Sequence, residues 1–213
     1  MSITENRLKL PLQDEDIRNL RTGDIIYLSG TLVTGRDEVH RRVLDEGISL
    51  PVNLNGMAIY HAGPIVKSGS CAAREKDRAN SIEGQEQWEL VSIGPTSSIR
   101  MEKWAADFIE KTRVKVMIGK GGMGEKTTAS CRKYGAIHCV YPGGCAVLGA
   151  EQIEKIEDVF WPELGMAECL WVMKAVEFGP LIVSIDTHGN NLFAENSAHY
   201  ALRREACEAL AKP

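Results

Sequence analysis

Three turns that join a predicted strand to a helix carry a basic side chain beside glycine or hydroxyl residues. They contain Arg36 in Thr34–Asp37, Arg100 in the segment that starts at Gly94, and Lys120 in Gly119–Gly121. Free backbone N–H groups at a helix start attract anions, and arginine binds a carboxylate through two parallel hydrogen bonds. One such turn alone is typical of a solvated cation. Three together favour a ligand with two negative charges.

The turn after Pro95 also contains hydroxyl side chains, at Thr96, Ser97 and Ser98. Such residues commonly cap the first turn of a helix by accepting backbone hydrogen bonds. With Arg100 one turn further, they could equally form an oxyanion or carboxylate site. The sequence alone leaves the cap and the site open.

The glycine-rich stretch from Gly119 to Thr127 resembles a phosphate-binding P-loop but departs from its pattern at one residue. Glu125 lies between Gly124 and Lys126, where backbone N–H groups would have to face phosphate. We therefore expect no nucleotide site here. Lys120, between a strand end and a helix start, is instead placed to bind a small carboxylate or phosphate.

Two histidines and the cysteines are weaker candidates. His61 and His188 lie at strand ends, where a catalytic role competes with local hydrogen bonding, and their roles stay open. None of the six cysteines falls in a C-x-x-C pair or a zinc spacing. We expect reduced, mostly buried thiols and no metal site on this chain.

Composition excludes several classes of protein. The 213 residues are 44% hydrophobic and 25% charged, which is typical of a globular domain rather than a disordered or disulfide-rich chain. The net charge of −4 lacks the basic surplus of a nucleic-acid-binding protein. No apolar run reaches the 18 or so residues of a membrane helix, and no leader-like segment precedes residue 24. We expect a cytoplasmic protein without nucleic-acid or membrane partners.

The elements that must position these residues alternate between strands and helices. The middle of the chain reads as a right-handed βαβ unit over 114–140. We predict one α/β domain at 24–213, preceded by a peripheral N-terminal arm at 1–23 and containing a mobile loop at 67–87. The predicted strands are 24–33, 57–62, 88–93, 114–118, 136–140, 153–160, 169–176 and 181–185, and the predicted helices are 12–20, 36–46, 98–111, 126–133, 145–150 and 197–211.

Taken in order, these motifs resemble the β subunit of the two-subunit iron–sulfur hydro-lyases, the family of class I fumarase and L(+)-tartrate dehydratase. The resemblance covers residues 10–196. From residue 168 to 196 it is closer to tartrate dehydratase than to fumarase. The motifs that carry it are Gly30–Leu32, Thr34–Asp37, His61–Pro64, Gly94–Thr96, Arg100–Met101, Gly119–Gly121, Phe178–Pro180 and Asp186–Asn190.

The resemblance implies a single swivelling β/β/α domain, similar to the C-terminal domain of class I fumarase. It also implies a separate α subunit, which would supply three cysteines to a 4Fe–4S cluster with one open iron, and an α2β2 heterotetramer. By the same resemblance Thr96 takes the position of the catalytic base. Arg36, Arg100 and Lys120 take the positions that bind the substrate's carboxylates.

The implied reaction removes water from a four-carbon 2-hydroxy dicarboxylate, most readily L(+)-tartrate to oxaloacetate. An open iron would act as a Lewis acid on the departing hydroxyl, and fixed cations would stabilise the charge that gathers on the neighbouring carboxylate. One alternative is a class I fumarase β subunit acting on fumarate and L-malate. The other is a dicarboxylate-binding module without chemistry.

Overall fold

The computed structural model describes residues 3–68 and 88–210. The predicted mobile loop at 67–87 lies outside these residues except for its first two. The strands are β1 Glu5–Lys9, β2 Ile25–Thr34, β3 Ala58–Tyr60, β4 Ala62–Ser68, β5 Trp88–Pro95, β6 Val116–Gly119, β7 Ile137–Val140, β8 Ile153–Phe160 and β9 Leu170–Ile185. The α-helices are α1 Asp14–Arg18, α2 Asp37–Leu44, α3 Glu102–Thr112, α4 Glu125–Tyr134, α5 Ala146–Glu151 and α6 Leu192–Leu210, and 3-10 helices span Ser98–Met101 and Pro162–Leu164.

Most of the strands form one seven-stranded mixed sheet, and β4 and β5 form a separate antiparallel pair. The order in the large sheet is β1-β2-β3-β6-β7-β9-β8, and β9 also pairs with β2. Within this sheet β1, β2, β3, β6 and β7 run parallel to one another, whereas β9 is antiparallel to β2, β7 and β8. Because β9 reaches both β2 and β7, the pairing of β2, β3, β6, β7 and β9 closes into a ring.

Two apolar cores use opposite faces of these strands. Tyr60, Ile118 and Phe178 belong to a cluster to which all five ring strands contribute, and which therefore fills the interior of the ring. Ile59 and Met117, the neighbours of Tyr60 and Ile118, belong instead to a cluster under the helices. Successive side chains in a strand point to opposite faces, so strands buried on both sides must be apolar throughout.

The helices cover the outer face through apolar stripes. In the helix predicted at 98–111, Ala105 and Phe108 are fully inaccessible and Trp104 is 7% exposed. Val39 and Val43, four residues apart in α2, are buried in the same cluster. The first turn of the predicted 98–111 helix is a 3-10 turn, and the α-helix begins at Glu102.

Two predicted strands, 169–176 and 181–185, are in fact one. β9 continues for 16 residues through Phe178–Pro180. The sequence Gly179-Pro180 predicts a break, but Gln152 makes hydrogen bonds with both Gly179 N and Gly179 O, at 3.2 and 2.6 Å. The side-chain amide thereby replaces ladder bonds, and the irregularity becomes a bulge opposite β2.

The N-terminal segment that was predicted to be a peripheral arm contributes to the sheet and the core. β1 pairs in parallel with β2, and Leu12 and Ile17 are buried in the interior cluster. The helix there spans only Asp14–Arg18. Within the described ranges, no helix combines the length and apolarity needed to cross a membrane.

Candidate functional site

The predicted site residues follow the ends of three strands. Arg36 follows β2, Thr96 follows β5 and Lys120 follows β6. The backbones of Thr96 and Lys120 are joined directly, because Lys120 N–H donates to Thr96 O at 3.0 Å. Ser98 N–H donates in turn to Lys120 O at 2.9 Å. The structure therefore brings these two turns together.

Arg36 reaches across to the threonine hydroxyl. Its Nη1 donates to Thr96 Oγ1 at 3.3 Å, and Thr96 is only 8% exposed. Its Nε lies 2.6 Å from Glu168 Oε1 without being aimed at it, so this contact is an ion pair rather than an aligned hydrogen bond. A Cβ on Gly63 would lie 3.0 Å from the guanidinium carbon, so the glycine leaves room for Arg36.

Arg100 is held by a carboxylate of this chain. Its Nε and Nη2 lie 3.1 and 2.8 Å from the two oxygens of Asp37. Asp37 is the neighbour of Arg36, so one turn supplies a cation to Thr96 and an anion to Arg100. About half of the Arg100 side chain is exposed, and it can turn toward a ligand.

The hydroxyl residues of the 96–98 turn do not cap the following helix. The 3-10 helix begins after Ser97 without a side-chain cap bond. The hydroxyl of Ser98 points inward instead, to two histidine rings. The cap interpretation of this turn is therefore wrong, and Thr96 Oγ is left to interact with Arg36.

The helix start after Lys120 is already occupied. Glu102 accepts hydrogen bonds from Gly124 N at 2.7 Å and from Thr127 Oγ1 at 2.6 Å. Our expectation that this helix start helps bind a small anion is therefore wrong, since an internal carboxylate fills it. No pattern in the sequence links Glu102 to the start of this helix at Gly124, which lies 22 residues further along the chain.

A cleft of about 660 Å³ opens beside Lys120. Ile99, Met123 and Phe193 line it on the apolar side, with Asn191 as a polar wall. It is large enough for a small dicarboxylic acid. The side chain of Lys120 is exposed at its edge.

Three fully buried histidines lie below the site, at His40, His61 and His138. Burial lowers the pKa of His40 to about 4 and that of His138 to about 3, and it holds the pKa of His61 well below its ordinary value. All three rings are therefore neutral at pH 7. Sequence reasoning missed His40 and His138; a histidine within the buried strand 136–140 was the available signal.

The ring of His188 contacts a backbone carbonyl that is distant in the sequence, and only its backbone N–H is bonded locally. Its Nε2 lies 2.9 Å from the carbonyl oxygen of Arg18, and its backbone N–H donates to Asp186 Oδ1 at 2.9 Å. Glu168, the first residue of the segment 168–196 that is closer to tartrate dehydratase, was not predicted as a site residue. Its contact with Arg36 shows that it belongs beside the site.

The four cysteines whose side chains the structure describes do not form a cluster site. Cys131, Cys139, Cys145 and Cys169 are free thiols. Burial raises the pKa of Cys131 and Cys139, and that of Cys169 to about 11, so these three thiols stay protonated. Among the described residues, no three His, Cys, Asp or Glu side chains are grouped to hold a metal ion.

Comparison with known proteins shows the family to which this sequence is similar. A family model described as the fumarase C-terminus matches residues 2–196. The L(+)-tartrate dehydratase subunit beta of Escherichia coli (strain K12) is 52% identical over 198 residues, which are 93% of this chain and 91% of that protein.

Two more distant relatives come from other organisms. A putative L(+)-tartrate dehydratase subunit beta of Methanocaldococcus jannaschii is 38% identical over 86% of this chain and 89% of its own length. A putative class I fumarate hydratase of Geobacillus stearothermophilus is 36% identical over 87% of this chain, which corresponds to 33% of that protein.

Proposed function

The chain belongs to the fumarase C-terminus family, and from that membership we propose that it is the β subunit of a hydro-lyase acting on L(+)-tartrate. The observation that supports this most directly is the contact of 3.3 Å between Arg36 Nη1 and Thr96 Oγ1. It places a cation against a nearly buried hydroxyl, beside an exposed lysine and an arginine. That is what proton removal next to a carboxylate requires.

Thr96 acts as the base in this proposal. A threonine hydroxyl is a poor base in water because its alkoxide is costly. A guanidinium at hydrogen-bond distance favours the charged form, and low exposure keeps water from screening that effect. As the alkoxide, which Arg36 stabilises, Thr96 Oγ would take the proton from the substrate carbon and become the neutral hydroxyl, leaving the electron pair on the substrate next to its carboxylate.

Arg100, Lys120 and Arg36 bind the substrate's two carboxylates in this proposal. Asp37 and Glu168 already pair with the arginines, so these carboxylates hold the guanidinium groups in place until the substrate arrives. Positioned cations stabilise the charge that develops on the carboxylate next to the reacting carbon.

We propose further that a partner α subunit supplies an iron–sulfur cluster, in an α2β2 heterotetramer. The name of the relative, subunit beta, supports a partner chain. The described cysteines are scattered, and burial keeps Cys131, Cys139 and Cys169 protonated, so they do not fit a cluster. When bound in the complex, a cluster with an open iron would supply Lewis-acid chemistry at the substrate hydroxyl.

L(+)-tartrate is favoured over fumarate and L-malate because the relatives named for tartrate are the more similar. The identity is 52% for the Escherichia coli tartrate dehydratase subunit and 36% for the putative fumarate hydratase. We also propose a cytoplasmic location, which the free thiols of the described cysteines support.

Anaerobic co-expression with the α subunit tests this proposal. The purified complex should convert L(+)-tartrate to oxaloacetate with a higher kcat/KM than it shows for L-malate or fumarate. Faster turnover of L-malate would identify a class I fumarase instead. A stable single chain that binds dicarboxylates, and forms no active complex, would identify a binding module.

A further inference from the structure

A chain of hydrogen bonds runs below the site through fully buried side chains. Ser98 Oγ lies 3.0 Å from His61 Nδ1 and 2.9 Å from His138 Nε2. The other nitrogen of His138, Nδ1, lies 2.6 Å from Ser184 Oγ. All four residues have no exposed surface, so no solvent competes for these contacts.

The direction of each hydrogen bond in this series can be worked out from Ser184, the residue at its end. Ser184 Oγ donates to the carbonyl oxygen of His138 at 3.1 Å, so it can only accept from Nδ1–H of the ring. A neutral imidazole carries one N–H. His138 Nε2 is therefore an acceptor, and Ser98 must donate its proton to it.

The same reasoning continues to His61. Because the proton of Ser98 is used on His138, its oxygen accepts from His61 Nδ1–H. His61 Nε2 is then an unprotonated nitrogen, buried and without a partner among the described residues. His40 has the same tautomer, since its Nδ1 lies 2.9 Å from the carbonyl oxygen of Arg36 and must donate to it.

Residues of this hydrogen-bonded network, together with the neighbouring His40, contact the backbone at each of the three site turns. His61 O accepts from Thr96 N at 2.6 Å, and Ser98 N donates to Lys120 O at 2.9 Å. His40, whose ring centroid lies 5.3 Å from that of His61, holds the carbonyl of Arg36. The turns that carry Arg36, Thr96 and Lys120 are therefore all hydrogen-bonded to residues of one buried cluster, formed by His40, His61 and Ser98.

The Ser98 hydroxyl occupies space that is open only because residue 119 is a glycine. A Cβ on Gly119 would lie 2.0 Å from Ser98 Oγ, which no side chain tolerates. Gly119 directly precedes Lys120, so the close approach that admits the hydroxyl is also the one that places the lysine. A hydroxyl serving only general core packing would not need this opening beside a site residue.

We propose that Ser98 is a positioning residue, whose hydroxyl donates to His138, accepts from His61 and thereby fixes the turn that holds Thr96 against Lys120. The positioning role rests on the function proposed above. The proton directions do not.

The first test measures the histidine tautomers in the full chain labelled with ¹⁵N-histidine, by long-range ¹H–¹⁵N correlation at pH 7. His40, His61 and His138 should each be protonated on Nδ1 and unprotonated on Nε2. Protonation of His61 or His138 on Nε2 would overturn the proposed hydrogen-bond directions. This measurement uses the wild-type chain and does not depend on a variant that folds.

The second test compares Ser98→Ala with Ser130→Ala. Ser130 is a matched control, since it is a buried serine whose hydroxyl donates one hydrogen bond, to Ala106 O at 3.0 Å in another part of the domain. In Ser98→Ala the backbone amide signals of Thr96 and Lys120 should shift and exchange faster with solvent. In Ser130→Ala they should not.

The third test measures turnover in the complex with the α subunit. Ser98→Ala should lower kcat about tenfold or more, because small displacements of reacting groups are costly. Ser130→Ala should stay within about twofold of wild type, although it too loses a buried hydrogen bond. Equal kcat and unmoved amide signals in the two variants would overturn the positioning role. A wild-type complex without hydro-lyase activity would refute the proposed function, and the amide signals would then decide the positioning role alone.

Discussion

At the scale of single residues, the chemistry proposed for Thr96 depends on what surrounds its oxygen. Arg36 Nη1 lies 3.3 Å from it, and the residue is 8% exposed. The two carboxylates nearby, Asp37 and Glu168, pair with arginines rather than with the hydroxyl. The threonine thus contacts the positive member of the Arg36–Glu168 ion pair, which favours its ionised form.

Replacing Thr96 by alanine should separate chemistry from stability. The hydroxyl is needed as the proton leaves, so kcat should fall about 100-fold or more while KM changes little. Because Thr96 forms no helix cap, the melting temperature should stay within about 2 °C of wild type. Thr112→Ala, which removes a hydroxyl bonded to Phe108 O at the end of α3, is the control for kcat. Normal kcat with a lowered melting temperature would show that Thr96 has a structural role and is not the base.

Replacing Arg100 by alanine should act mainly on binding. Its guanidinium is paired with Asp37 and half exposed, so its loss removes a carboxylate partner in the ground and transition states alike. We expect KM to rise about 30-fold or more, equivalent to about 2 kcal/mol of lost binding. Arg42→Ala, which breaks an ion pair with Glu163 elsewhere, should leave KM unchanged. An unchanged KM in Arg100→Ala would show that Arg100 pairs with Asp37 but does not bind the substrate.

At the scale of elements, strands and helices with strong periodicity were predictable and their junctions were not. The β6–α4–β7 unit and strand β8 were confirmed, because buried strands and amphipathic helices follow the local sequence. The site turns were predicted through Arg36, Arg100 and Lys120, whose residue types are visible locally, and their role as a site stays a prediction. Glu102 and Gln152 were missed because each satisfies backbone groups more than 20 residues away.

The junction of β6 with its turn provides a test of that long-range fit. Gly119→Ala would place a methyl group 2.0 Å from Ser98 Oγ. We expect a loss of about 1–3 kcal/mol in the free energy of unfolding, measured by urea titration, together with a fall in kcat. Gly143→Ala is the control for stability, since its Cβ would meet only Lys120 Cδ at 3.9 Å. Unchanged stability in Gly119→Ala would mean that Ser98 can move aside.

At the scale of the whole molecule, the buried histidines should make stability depend on pH. An unfolded histidine titrates near 6.5, whereas burial lowers the pKa to about 4 for His40 and about 3 for His138. Below pH 6.5 the unfolded chain therefore binds more protons than the folded chain. The contribution of the neutral rings to stability is fully present above pH 6.5 and is lost as the pH falls from there toward 4 for His40 and toward 3 for His138.

Urea unfolding at pH 7.5 and pH 5 measures this dependence. Each of His40 and His138 should reduce the free energy of unfolding by about 2 kcal/mol at pH 5. In His40→Phe, whose ring can still pack against Phe108, the loss between the two pH values should be smaller by about that amount. The same stability at both pH values would show that these rings titrate normally.

The isolated chain should be colourless and inactive, because the described cysteines do not assemble a cluster site. Iron content and absorbance near 400 nm, measured on anaerobically purified protein with and without the α subunit, test this. Colour and activity should appear only in the co-purified complex. A brown and active preparation of this chain alone would contradict the two-subunit proposal.

The two ion pairs of the site also determine which anions can compete for it. Arg36 and Arg100 are already paired with Glu168 and Asp37, which partly neutralise their charge. A chloride or acetate ion therefore gains less free energy here than it would at two unpaired arginines. A dianion that spans both arginines and Lys120 gains more than it displaces. The internal carboxylates thus act as a threshold against monovalent anions, which keeps the site available at the salt concentrations of a cell.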